Sequence, residues 1–293
     1  AADSGAARDH AEPLLHALAY QMGHDVHTPG DGPLAQQLGG LLANAAHVDS
    51  VAFDLTALAR AAEAVREHLP DDALHVLADV AQPLAALPAD ASMEQLGGCV
   101  RALLAGSWAL SGAAGQGMER GDAWRFLDLG RCIERGQNAI GVLRSLYASG
   151  AGTGDAAAGD AALAFVGGSP AYRHAGGASS LREALERLLL DARLPRGLAA
   201  PMQAIEQHLG ALPTAQANRR SGAAARLALD ASTRLRLLDL DRLTADGQLD
   251  RPALDQFLAR GEHLLRALSD RVTADYFQPP VAPHALLALP PEP

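Results

Sequence analysis

The sequence predicts an all-α protein, a multi-helix bundle built as two related helical halves. Three observations carry that prediction. Ala and Leu dominate while aromatic residues are only 4% and β-branched residues are sparse, a composition that favours helix over sheet. Apolar residues recur at helical spacing, most regularly in Asp122–Leu146 (DAWRFLDLGRCIERGQNAIGVLRSL): Phe126, Ile133, Ile140 and Tyr147 fall seven apart, with Leu129, Gly136 and Leu143 three later. Helix-start residues precede most such runs.

In chain order, Leu14, Leu15, Leu18 and Met22 mark a short amphipathic helix over about 11–22, broken by the Gly/Pro-rich HDVHTPGDGP. Pro33 opens a second helix running to Asn44. Asp49 or Ser50 caps a third that continues to Leu69, where Pro70 stops it. Asp71 and Asp72 favour the start of a fourth, DDALHVLADVAQPLAAL, because carboxylates stabilise the positive end of a helix dipole. Ser92 with Gln95 has the spacing of a capping box at the head of a fifth. The uncharged run between Arg101 and Glu119 contains Gly106, Ser107, Ser111 and several further glycines, so it reads as a buried core helix rather than a membrane span. Asp122 caps the helix that follows.

After Tyr147, ASGAGTGDAAAGDAA has no large apolar residue and reads as a linker. Ser179 or Ser180 then starts LREALERLLLD, and Pro195 interrupts before RGLAAPMQAIEQHLGAL resumes the helix. Two last helices span Arg220–Leu240 and Asp250–Phe277, the second capped by Asp250 with Pro252 in its first turn. The division expected is an N-terminal helical half (1–149), a Gly/Ala-rich linker and loop (150–180), a C-terminal half (181–278) and a proline-rich tail (279–293). An echo of six loosely matching positions, Ala64–Leu69 against Ala204–Leu209, supports related halves.

Composition also excludes chemistry. All 24 basic residues are Arg, so Schiff-base and P-loop lysine mechanisms are absent from this chain. A net charge of −10 argues against nucleic acid as the main partner. Two cysteines, Cys99 and Cys132, form no disulfide framework and suit a reducing cytoplasm. The opening residues lack the basic and apolar regions of a secretory signal. No cofactor or metal is expected: His24 and His27 lie three apart in a Gly/Pro-rich loop, but no cysteine or fixed carboxylate accompanies them.

The first site candidate is Asp128, Arg131, Glu134 and Arg135, spaced so that Asp128 meets Arg131, and Arg131 meets Glu134, one turn apart. Gly130, Glu134, Gln137 and Gly141 share a stripe. Small residues above and below Glu134 would let another backbone approach and desolvate the carboxylate. A carboxylate between two guanidiniums suits a peptide amine or a phosphorylated intermediate; equally, it suits a buried ion-pair network pinning helices together. The second candidate is Asp191 with Arg193 and Arg196, either an anion-recognition group or a turn beside Pro195. Cys132 reads as a small buried packing residue, since no base is placed near it.

WRFLDLGRCIERG (Trp124–Gly136) resembles the signature of the bacterial alpha-E domain, with its L-G-R-x-x-E-R core on one helix. LLLDARLPRGL (Leu188–Leu198) is similar to that family's second motif, D-x-x-x-P-R-S, here Asp191, Pro195 and Arg196. LARAAEAVREHLPDDAL (Leu58–Leu74) and LSDRVTADYF (Leu268–Phe277) resemble two further segments. Cys132 stands where the family usually has a second Arg, Gly197 replaces the serine, and the family's N-terminal signature helix has no counterpart. The resemblance implies an all-helical domain fused to, or encoded beside, a circularly permuted ATP-grasp ligase, often with a transglutaminase-like protein, in peptide synthesis or modification. The expectation is therefore a cytoplasmic, non-catalytic accessory to that amide ligase, with a peptide as possible substrate and neither nucleic acid nor membrane as partner. Two alternatives are an enzyme acting on peptide bonds through Glu134, Arg131 and Arg135, and a general protein-interaction bundle.

Overall fold

In the computed structural model, the described residues are 34–48, 50–147, 155–167, 180–213 and 222–277, and among them every regular element is helical. They are α1 (Leu34–Ala43), α2 (Val51–Ala64), α3 (Asp71–Val80), α4 (Gln82–Ala85), α5 (Met93–Gly117), α6 (Asp122–Tyr147), α7 (Asp155–Phe165), α8 (Leu181–Leu189), α9 (Ala199–Ala211), α10 (Ala223–Arg236), α11 (Leu240–Leu243) and α12 (Arg251–Val272). A π-turn, Thr273–Phe277, continues α12. The chain is an all-α multi-helix bundle. The expected helix at 11–22, the His24/His27 loop and the proline-rich tail lie outside the described residues.

Local chemistry sets the starts. Ser50 caps α2 by accepting from Phe53 N at 3.1 Å. Ser92 and Gln95 close the predicted capping box of α5, and Ser180 and Glu183 close another on α8. Asp250 Oδ1 accepts from Ala253 N at 3.0 Å at the head of α12. At α6 the expectation is corrected: Asp122 is the first helical residue, and it is the Gly121 carbonyl that accepts from Arg125 N at 3.1 Å.

Other corrections follow proline and alanine. The third predicted helix ends at Ala64 rather than Leu69, and Arg66–His68 form a 3₁₀ turn. Pro70 drives Leu69 into extended backbone, at φ −99° and ψ 139°. The fourth breaks at Ala81, and Pro83 sits in the first turn of α4. Residues 155–165, read from composition as linker, form α7, with Ala158, Ala162 and Leu163 almost fully buried; Ala has the strongest helix propensity and fits where larger residues do not. The Arg220–Leu240 helix shortens to α10, and a separate α11 begins after the Asp239 cap. The six-residue echo takes two conformations, a helix end passing into an exposed 3₁₀ turn and the interior of α9, where His208 is buried.

The described residues divide into two compact units. The first holds the helices up to Leu129, the end of α6 from Gly141, and α7. Its core gathers Leu84, Cys99 and Leu103, with Leu42, Val51, Leu55 and Leu87 packed against them. Here α5 lies close along α3: a Cβ on Gly106 would sit 2.9 Å from Val80 Cγ2, and one on Gly117 2.8 Å from Pro70 Cβ. Apart from that buried line, α5 is not the core helix expected. Ala102, Leu104, Ala105, Ser107, Trp108 and Ala109 are all exposed.

The second unit comprises the centre of α6, Gly130–Ile140, with α8 to α12. In it α12 packs on α10, α10 on α9, and α8 on α11. Leu185, Leu189, Ile205, Leu254, Leu258 and Leu265 fill its core, none more than 1% exposed. Glu206 on α9 accepts from Ser232 Oγ and Arg236 on α10. Arg182 on α8 donates to Glu186 at 2.8 Å and to Asp241 on α11 at 2.6 Å. The ties from Glu206 and from Arg182 to Asp241 link helices that already pack together, so charge fixes the register that packing permits.

Candidate functional site

The predicted seam of α6 is the buried one: Leu129, Ile133, Ile140, Leu143 and Tyr147 are at most 5% exposed. The candidate charges lie beside it. Asp128 and Arg131 are half-buried, whereas Glu134 and Arg135 are exposed. Asp128, Arg131 and Glu134 each take part in a hydrogen-bonding, ion-pairing or electrostatic interaction. The predicted crowding of the carboxylate does not occur at Gly130, where a Cβ would meet nothing within 4 Å. Close approach occurs instead at Gly136, on the seam: a Cβ there would stand 2.9 Å from Leu265 Cδ1 of α12 and 4.0 Å from Leu198. Reciprocally, a Cβ on Gly261 of α12 would stand 3.2 Å from Ile140 Cδ1. Two glycines on facing helices let α6 and α12 interlock. The heptad register already put Gly136 on the packing face, a signal the emphasis on Glu134 obscured.

At the head of α6, the Arg120 guanidinium sits 4.3 Å over the Trp124 ring, a cation–π contact. Arg120 also donates to the Gly115 carbonyl, tying the turn between α5 and α6 at both ends. Cys132 is 3% exposed, as expected of a packing residue. Burial also pushes the Cys99 thiol above its usual range.

The second motif is a tight connection between α8 and α9. Asp191 Oδ1 accepts from Arg193 N and Arg193 Nε, both at 2.9 Å, and Oδ2 accepts from Nη2 at 3.1 Å. The Arg193 hydrogen bond is the main reason the Asp191 carboxyl titrates below its ordinary value. Asp191 is only 12% exposed while Arg193 is 90% exposed, so the carboxylate is spent on the turn and the guanidinium faces water. Two successive turns follow, Leu194 N to Asp191 O at 3.1 Å and Gly197 N to Leu194 O at 3.0 Å, and Leu198 N then returns to Leu188 O at 2.8 Å. Pro195 and Arg196 are exposed at the apex. At Gly197, where the resembled motif carries serine, a Cβ would fall 3.0 Å from Leu188 O and 3.3 Å from Leu194 O.

Among the described residues no three His, Cys, Asp or Glu side chains form a group fit for a metal ion, and no helix is long and apolar enough to cross a membrane.

The most unusual surface belongs to α5. From Arg101 to Glu119 it carries no charge, and Met93, Val100, Leu104 and Trp108, spaced on one helix face, are 51%, 37%, 44% and 62% exposed. Gly97, Ser111 and Gly115 continue the same face. Arg101, whose guanidinium lies 3.4 Å from where a Cβ on Gly97 would stand, borders this face; beyond it, Leu104 to Gly115 form an uncharged stripe of about three turns that includes the exposed Trp108, a composition that suits a contact surface.

Comparison with known proteins places these features in context. Residues 2–277 match Alpha-E, described as a predicted alpha-helical domain with a conserved ER motif; the chain has three Glu-Arg pairs, Glu119-Arg120, Glu134-Arg135 and Glu186-Arg187, the second of them in the resembled core. The chain is 31% identical over 238 residues to the uncharacterized protein Rv2567 of Mycobacterium tuberculosis (strain ATCC 25618 / H37Rv) and, to the same extent, to the uncharacterized protein Mb2597 of Mycobacterium bovis. These matches cover 77% of this chain and 26% of each relative, so it spans about a quarter of their length. No solved structure matches.

Proposed function

The chain belongs to the Alpha-E family, and from that premise we propose that it is a non-catalytic helical accessory domain. In this reading it docks on a circularly permuted ATP-grasp amide ligase, fused or separate, and serves peptide synthesis or modification in the cytoplasm, with a transglutaminase-like protein as a further possible associate. The observation that carries the proposal is the apolar exposed face of α5, Met93, Val100, Leu104 and Trp108. Relatives about four times as long as the matched segment supply company for such a face within one polypeptide. Two buried free cysteines fit a reducing compartment.

The test is reconstitution of the purified chain with the ATP-grasp ligase of its own organism, followed by sedimentation. A complex is expected. Trp108→Glu should weaken it about tenfold or more without changing the far-ultraviolet circular dichroism, since an interfacial Trp commonly carries about 2 kcal/mol. Absence of a complex, or phosphate release from ATP by the isolated chain, overturns the reading.

The exposure of Glu134 and Arg135 favours a second reading, an enzyme acting on peptide bonds with these side chains and Arg131. Turnover of a peptide amide that Glu134→Gln abolishes would establish it, and a rate untouched by that substitution would remove it.

A further inference from the structure

The second unit has a pocket of about 590 Å³, partly open to solvent, among α6, α9, α10 and α12. That volume lies in the range of small-molecule pockets, roughly 300–1,000 Å³. Its accessible apolar lining is Ala231, Ala253 and Phe257, each half-buried, backed by the buried side chains of Ile140, Leu198, Met202, Leu235 and Leu264. Among the described residues, the ionisable ones lining it are Arg234, Arg260 and His263, with no carboxylate. Asp230, just outside the lining, accepts from Arg234 Nε at 2.8 Å and stands 4.0 Å from Arg260 Nη2. Two guanidiniums thus share one carboxylate. The mouth keeps a surplus positive charge in a chain whose net charge is −10.

An apolar floor under a cationic rim selects a ligand with an apolar body and one anionic head. A cationic head would meet repulsion, and a neutral one would gain nothing from the arginines. Arg234 and Arg260 are 51% and 49% exposed, so both combine a chain packed along the cavity wall with a head still reachable from solvent. We propose that this cavity binds an aliphatic monocarboxylate, its head at Arg260 and Arg234 and its chain over Ala231, Ala253 and Phe257. The same chemistry is offered by a medium-chain fatty acid and by the C-terminus of an apolar peptide. This site lies in the second unit and does not depend on docking through α5.

Calorimetric titration of the full chain with octanoate, octanol and octylamine tests the class. N-acetyl-Leu-Leu with a free or an amidated C-terminus distinguishes the source. Octanoate is expected to bind at least tenfold more tightly than octanol or octylamine, and Arg260→Gln to weaken it about tenfold. Ala253→Phe, which fills the cavity, should abolish binding while the far-ultraviolet circular dichroism is kept. If the free-acid peptide outbinds octanoate, the natural ligand is a peptide terminus; if octanoate wins, it is a lipid acid. Failure of both carboxylates to bind at millimolar concentration, or equal binding of octylamine and octanoate, overturns the proposal.

Discussion

At the residue scale, two glycines on one helix have opposite roles. Gly136 gives Leu265 room: Leu265 is 1% exposed, and its Cδ1 lies 2.9 Å from where a Cβ on Gly136 would stand. Gly136→Val should therefore destabilise the chain by about 2 kcal/mol through overpacking. Gly130 is exposed, and a methyl group added there would meet nothing within 4 Å, so Gly130→Ala should stabilise the chain by about 0.5–1 kcal/mol through helix propensity alone. Urea unfolding checks both, and equal effects would mean that close packing does not distinguish the two sites. The heptad reading legibly separated the seam from the charges on α6. It could not say which glycine meets a neighbour, because that depends on α12, more than 100 residues away in sequence. Glu134, expected to be desolvated, is exposed for the same reason: its supposed cover was inferred from its own helix only.

At the element scale, capping was the most legible feature, since Ser50, Ser92, Ser180 and Asp250 act on backbone groups within three residues of themselves. The α8–α9 connection was legible as a turn, but not that Asp191 would bind Arg193 so completely. The Asp191 carboxyl titrates below its unfolded value of 3.8, so its contribution is complete above that pH and is lost as pH falls through the lower folded value. Asp191→Asn should cost about 1 kcal/mol at neutral pH, discounted for the exposed guanidinium partner, and should remove a comparable part of the stability lost as pH falls below 3.8. Superimposable acid limbs for the two proteins would refute this. The buried-helix reading of α5 failed because lack of charge does not say which face a helix buries: Leu96, Cys99, Leu103 and Ala114 are buried while Leu104 and Trp108 are exposed.

At the scale of the whole molecule, the all-α class followed from composition and periodicity, which are summed over the entire chain and tolerate local error. The unit division did not follow, because it runs through a continuous helix. Gly130–Ile140 clusters with α8 to α12 while both ends of α6 cluster with the other unit. A fragment of residues 180–293 would lack Gly136 and Ile140, and with them a wall of the second unit's core. It should unfold without a cooperative transition, whereas residues 122–293 should recover one. A sharp thermal transition in the shorter fragment would show that the α6 segment is dispensable.

The chain contains two tryptophans, and they report on different things. The Trp108 indole is largely in water, while that of Trp124 is half-covered and lies beneath the Arg120 guanidinium. The protein's own fluorescence is therefore a mixture of a solvent-relaxed emitter on α5 and a shielded one at the head of α6. With Trp124 replaced by Phe, the remaining light comes from the α5 face alone, and its colour registers whatever settles there without any added label.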